Sequence, residues 1–197
     1  HTIERKAEHY LKEIAANYTP RMLYFVAAIL NWVFHRIYDG IVLDKKGLER
    51  AVNAGRHSPV VFCPSHRSHV DYLILSLSLW NSGITPPHIA AGVNLSFFPL
   101  GFIFRACGAF FLRRSFRDNP LYGLVLKTYV KELMRAGVSS EFFIEGGRSR
   151  TGKLLMPKFG ILTMLINAWH SSNQKDLQFV PVSIDYEKIV EAGSYER

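Results

Sequence analysis

The segment His66-Arg67-Ser68-His69-Val70-Asp71 sets an imidazole five residues ahead of a carboxylate. Val60-Val61-Phe62-Cys63 before it reads as a buried strand, and Tyr72-Leu73-Ile74-Leu75-Ser76-Leu77 after it reads as the start of a packed helix. On one continuous helix the two side chains would diverge by about 140°, because each residue turns the chain by about 100°. The spacing therefore predicts His66 on the strand-to-helix turn and Asp71 in the first turns of the helix, where the two can meet. Such a pair is a general base held by a carboxylate. Asp71 accepts the proton on one ring nitrogen and leaves the other free to take a proton from a substrate hydroxyl. A metal site is the alternative, since His66 and His69 are three apart and could join Asp71 as ligands. No further His, Cys or acidic cluster accompanies them in the sequence.

Two other stretches concentrate cations. Gly108-Ala109-Phe110-Phe111-Leu112 reads as a strand that ends in Arg113 and Arg114, where ligand groups gather in open α/β sheets. Glu145-Gly146-Gly147-Arg148-Ser149-Arg150-Thr151-Gly152-Lys153 follows the apolar run Glu141-Phe142-Phe143-Ile144. Glycines for close backbone approach together with three cations make an anion cradle. It is not a nucleotide P-loop, because the spacing G-x-x-x-x-G-K-S/T is absent.

The elements that must position these groups follow from the rest of the 197 residues, a length that fits one domain. Lys and Arg number 24 against 16 Asp and Glu, a formal charge of +8, so the partner is anionic: nucleic acid, an anionic lipid surface or a phosphorylated small molecule. A hydrophobic content of 48% excludes a disordered basic tail. Cys63 and Cys107 read as reduced core residues of a cytoplasmic protein. The opening His and the unclosed stretch 191–197 suggest a portion of a longer polypeptide.

Residues 2–17 have the period of an amphipathic helix, with Ile3, Ala7, Tyr10, Leu11 and Ile14 on one side. Residues 21–38 form a denser apolar helix cut short by Asn31, His35 and Arg36, suited to lying in a membrane interface or against the domain. Asp39-Gly40 turns the chain. A short strand at 41–43, a helix at 47–54, strands at 59–63 and 88–92, and a helix at 69–80 come next. The segment 95–104 is greasy enough to be core or a lipid-facing gate. A helix at 119–136, a strand at 141–144, a helix at 158–171 and a strand at 179–184 complete an α/β fold with a central mixed, largely parallel sheet flanked by helices.

The blocks His66 to Asp71, Gly108 to Arg114, Phe143 to Arg150 and Val180-Pro181-Val182 together resemble the four ordered motifs of the glycerolipid acyltransferase superfamily. The wording HRSHVDYLILS, PPHIAAGVNL, GAFFLRRSF and FFIEGGRSRTGK is most similar to its bacterial membrane-bound glycerol-3-phosphate 1-O-acyltransferases of the PlsB type. The apolar pattern assigns membrane-associating helices to 1–40, and the resemblance, which runs from about residue 56 to the end, makes 41–197 an acyltransferase α/β domain, truncated at its C-terminus. It implies transfer of a long acyl chain from acyl-CoA or acyl-carrier protein to the sn-1 hydroxyl of glycerol 3-phosphate, giving lysophosphatidic acid. No metal or other cofactor and no nucleic acid are expected, and the protein would sit on an anionic membrane surface at the cytoplasmic face of the inner membrane.

His66 would be the base and Asp71 its orienting partner. Arg67, Ser68, Arg113, Arg114, Glu145, Gly146, Gly147, Arg148, Ser149 and Arg150 would bind the acceptor, and Pro181 matches the motif associated with the acyl donor. Lysophosphatidate acyltransferases commonly carry E-G-T-R where this chain has Glu145-Gly146-Gly147-Arg148, which favours the glycerol-phosphate branch. Dihydroxyacetone phosphate and lysophosphatidate remain alternative acceptors. The alternative outside catalysis is a basic module that binds lipid headgroups or nucleic acid, whose binding would survive His66→Ala.

Overall fold

The computed structural model describes residues 2–37, 40–116, 118–149 and 151–186. Five strands, β1 (Val60–Pro64), β2 (His88–Gly92), β3 (Ala109–Leu112), β4 (Ser140–Glu141) and β5 (Gln178–Val182), form one sheet in the order β3-β2-β4-β1-β5. Every pairing is parallel. The expected antiparallel component is therefore absent among the described residues, because a helical crossover joins each strand to the next and returns the chain to the same end of the sheet.

The helices are α1 (Thr2–Ile14), α2 (Pro20–Ile37), α3 (Lys45–Gly55), α4 (Asp71–Asn81), α5 (Leu100–Ala106), α6 (Pro120–Arg135) and α7 (Phe159–His170). Right-handed crossovers fix their sides. The β1-α4-β2 and β2-α5-β3 connections step one way along the sheet, and β3-α6-β4 and β4-α7-β5 step back. So α4 and α5 cover one face and α6 and α7 the other. The cores agree. Val61, Phe110 and Phe142 pack with Tyr122, Leu126, Val130 and Met134 of α6, Leu165 of α7 and Ile14 of α1. On the other face Val60 and Phe62 meet Ala51 of α3 and Leu75 and Leu79 of α4. Ala27 and Phe34 of α2 pack on Leu77 of α4.

Three sequence expectations are corrected. Residues 41–43 are not a strand: they are exposed coil, Val42 fully so, with no neighbouring strand to pair them. The strand expected at 141–144 ends at Glu141, because the chain turns there: Gly146 N–H donates to the Phe143 carbonyl, and the Ile144 carbonyl is taken by Lys158 N–H at 2.7 Å. The helix expected from 69 starts at Asp71. The turn at Asp39, the end of the second helix at Tyr38, Arg150 and the stretch 191–197 lie outside the described residues.

No helix among the described residues is long and apolar enough to cross a membrane. α2 nevertheless leaves Phe25, Ile29 and Trp32 exposed on one stripe, and Phe97, Phe98 and Phe102 around the start of α5 are exposed too. The greasy segment is thus surface rather than core.

Candidate active site

β1 leads out toward α4 on one face and its neighbour β4 toward α7 on the other, which opens a crevice at the carboxyl ends of these two strands. His66 stands there, two residues past β1, and Asp71 is the first residue of α4. The His66 ring Nδ1 is 2.9 Å from Asp71 Oδ2. The same oxygen accepts the backbone N–H groups of Arg67 at 2.7 Å and Ser68 at 2.9 Å, and Oδ1 accepts the Tyr186 hydroxyl. Asp71 is fully buried. Burial alone would raise its carboxyl, but the bonds from His66, Tyr186, Ser68 and Arg67 outweigh it and hold the group below the usual carboxylate range. A carboxylate facing Nδ1 keeps the proton on that nitrogen, so Nε2 carries the free lone pair. The ring stacks on Phe143 with centroids 3.9 Å apart, which fixes its plane.

The loop after β4 is tied to this turn. Ser149 N–H donates to the His66 carbonyl at 2.8 Å. Glu145 is buried; one oxygen accepts His66 N–H at 3.4 Å and the other accepts Leu155 N–H at 2.9 Å. Its carboxylate thus braces two loops. Gly146 has a φ of +61°, and a Cβ there would meet the Lys158 stem at 2.8 Å. Gly147 is different: a Cβ would meet nothing within 4 Å, so a Thr fits sterically at the position where lysophosphatidate enzymes have one. Arg148 is half-buried on this loop, and Ser149 is buried with its hydroxyl donating to the Lys153 carbonyl. Ser68 is buried in the His66 turn, where its Oγ accepts Val70 N–H. Arg67 reaches Asp185. Pro181 lies exposed on edge strand β5, opposite Cys63.

The two arginines after β3 part company with this cluster. β3 is three strands from β1. Arg113 is held in a fork by Glu13 of α1, Nε to Oε1 at 2.7 Å and Nη2 to Oε2 at 2.6 Å, and its guanidinium lies over Tyr10 and Tyr122. Arg114 is exposed. His69, the third member of the possible metal set, is exposed, and among the described residues no three or more His, Cys, Asp or Glu side chains converge to hold a metal.

Residues 43–185 match the family model described as Acyltransferase. The chain belongs to the acyltransferase family. It is 43% identical over 194 residues to the glycerol-3-phosphate acyltransferase of Haemophilus influenzae (strain PittEE), an overlap that covers 98% of this chain and 24% of that protein. The corresponding figures are 43% over 192 residues, 98% and 23%, for the same-named protein of Pseudomonas entomophila (strain L48). For that of Actinobacillus pleuropneumoniae serotype 5b (strain L20) they are 44% over 193 residues, 98% and 23%. The chain spans about a quarter of the length of the curated relatives it matches.

Within this acyltransferase fold the sequence reading missed several groups around the dyad. Tyr186 and Phe143 belong to no spacing pattern. Glu141, written into an apolar run, was a visible oddity. It is fully buried, and neither carboxyl oxygen has a hydrogen-bond partner among the described residues. Burial, then the nearby Asp71 charge, pushes its carboxyl well above the ordinary range. Lys158, whose stem covers Gly146, adds a cation beside the third motif. The two free cysteines are pushed up to about 11, Cys63 by burial and then Glu141, Cys107 by burial, so neither thiol is primed as a nucleophile.

Proposed function

We propose that this chain transfers a long acyl group from an acyl thioester to the sn-1 hydroxyl of glycerol 3-phosphate, forming lysophosphatidic acid. The observation that carries the reading is the His66 Nδ1 to Asp71 contact of 2.9 Å at the mouth of the β1–β4 crevice, beside the Glu145–Ser149 loop. His66 Nε2 takes the hydroxyl proton while the oxygen attacks the thioester carbonyl. The carbon–sulfur bond then breaks, and the departing thiolate takes the proton back from the imidazolium. No covalent enzyme intermediate and no cofactor is needed. The acceptor phosphate is bound by Arg67, Arg148 and Arg150, with Gly146, Gly147 and Ser149 shaping the loop; guanidinium forks suit phosphate oxygens. Lys158 joins them. Pro181 lies toward the acyl donor.

The names of these relatives support glycerol 3-phosphate as acceptor. The same reading seats the protein on an anionic membrane at the cytoplasmic face of the inner membrane, with the exposed Phe25, Trp32, Phe97, Phe98 and Phe102 dipping into the interface.

The test offers labelled acyl-CoA to the purified protein with glycerol 3-phosphate, dihydroxyacetone phosphate or lysophosphatidate, and identifies products by mass. Lysophosphatidic acid from the first acceptor is the expected result. Turnover confined to either of the other two would overturn the acceptor assignment. Turnover that survives His66→Ala would overturn the mechanism.

A further inference from the structure

We propose that the cleft between α1 and the carboxyl end of β3 binds the nucleotide end of the acyl donor, a group with several ionised phosphates beside an aromatic base. This makes acyl-CoA a donor that the chain recognises directly, and it rests on the acyl-transfer reading above. The cleft has a volume of about 570 Å³ and is lined by Thr2, Arg5, Lys6, His9, Tyr10 and Arg113. That volume lies within the range of small-molecule sites, about 300–1,000 Å³.

The helix sorts its charges to make this cleft cationic. At about 100° per residue, positions 2, 5, 6, 9 and 13 fall on one stripe of α1, and Glu4 and Glu8 fall on the opposite side. Glu13 is the one acid on the stripe, and its two oxygens are taken by Arg113. The pair holds the guanidinium over Tyr10 and Tyr122, 5.1 and 4.6 Å from their ring centroids, and leaves the charges of Arg5 and Lys6 uncancelled. His9 and Tyr10, with ring centroids 6.0 Å apart, add aromatic surface of the kind a purine base packs on.

Position distinguishes this site from the acceptor's. Arg113 and His66 stand at the same end of the sheet, separated by three strand spacings, or about 14 Å. An acceptor phosphate whose hydroxyl must reach His66 belongs on the Glu145–Ser149 loop next to it. Cations at the far edge suit a ligand whose charged end is far from its reacting carbonyl, as in a thioester on a long pantetheine arm. A lipid headgroup fits less well. α1 packs on the α6–α7 face of the sheet, whereas the exposed aromatic side chains of α2 belong to the α4 face.

The test is the double substitution Arg5→Glu/Lys6→Glu, with Lys12→Ala as a control off the cleft. Adenosine 3′,5′-bisphosphate binding is measured by calorimetry and the KM values by steady-state assay. Wild type binds the bisphosphate and the double variant loses that binding. Its KM for acyl-CoA rises about tenfold or more, the loss of one charge-assisted phosphate contact. Its KM for glycerol 3-phosphate and its sedimentation with phosphatidylglycerol vesicles stay at wild-type values. A rise confined to the glycerol 3-phosphate KM overturns the proposal in favour of an acceptor site, and lost vesicle binding with bisphosphate binding retained overturns it in favour of lipid. Equal loss with acyl-carrier protein as donor, without bisphosphate binding by wild type, also overturns it. Should wild type bind the bisphosphate and transfer no acyl group, the functional reading fails and the anion site stands.

Discussion

Asp71 and Glu141 are both completely shielded from solvent, close enough for the charge of one to act on the other, and they are held in opposite states. Asp71 receives an imidazole, a phenol and two backbone N–H groups and stays ionised; Glu141 receives none among the described residues and keeps its proton. Burial opposes the charge of each carboxylate, and only Asp71 has donors that outweigh it. A turn ahead of a helix has free backbone N–H groups to offer, whereas in the middle of a sheet those groups are already spent on the ladder. The dyad's charge is therefore built by the β1–α4 turn, and a second charge beside it is kept out by the strand.

The comparison breaks most completely if the imidazole is removed. His66→Ala should lower turnover by about 10²–10⁴-fold, the span of a general base, with binding of the phosphorylated acceptor retained. Single-turnover kinetics beside equilibrium binding separates the two effects. Next comes Asp71→Asn, which keeps the shape and removes the charge that sets the His66 tautomer. Its turnover should drop by about 10²-fold, the low end of the same span, with the acceptor KM nearly unchanged. Equal losses in turnover and affinity would mean that Asp71 shapes the phosphate site instead.

Tyr186→Phe is a subtler break, since it removes one of the donors to Asp71. A hydrogen bond to a charged group contributes about 1.5–3 kcal/mol, and one pKa unit corresponds to about 1.4 kcal/mol. Asp71 is depressed in the folded state, so its stabilisation is present above the ordinary carboxylate range and is lost as pH falls through the folded value. Without Tyr186 that folded value moves up. The acid limb of the rate profile and the acid unfolding midpoint should both shift upward. An unmoved acid limb would show that the phenol is packing only.

How much of this site was legible in the sequence follows from how far apart its members lie. His66 and Asp71 are close neighbours along the chain between a strand and a helix with clear periodicities, so their contact could be derived from helix geometry alone. The sheet order could not, although the alternation of strands and helices gave its class. Tyr186 meets Asp71 across 115 residues, and Arg113 meets Glu13 across 100, with nothing local to mark either pair. Glu145 was expected at the acceptor site from its match to the third motif; that its two oxygens accept backbone N–H groups of the flanking loops had no local mark. The apolar character of 95–104 was evident, but whether it faced core or solvent depended on where α2 and α5 pack.

The smallest effect tests the other half of the comparison. Glu141→Gln keeps the size of the side chain and removes its titration. In wild type the folded pKa is raised, so the native state holds a proton that the unfolded chain releases above its ordinary value of about 4.3. Stability from this group is therefore full below that value and declines as pH rises toward the folded value, by about 1.4 kcal/mol for each pH unit in between. Gln carries no such dependence. Its own buried amide costs a constant amount, which leaves the slope as the readout. The melting temperature of Glu141→Gln relative to wild type should climb as pH rises above the ordinary carboxylate range, while turnover, which uses Asp71 and His66, is retained. A flat difference would mean that Glu141 is ionised in the folded protein, and the contrast between the two carboxylates would fall with it.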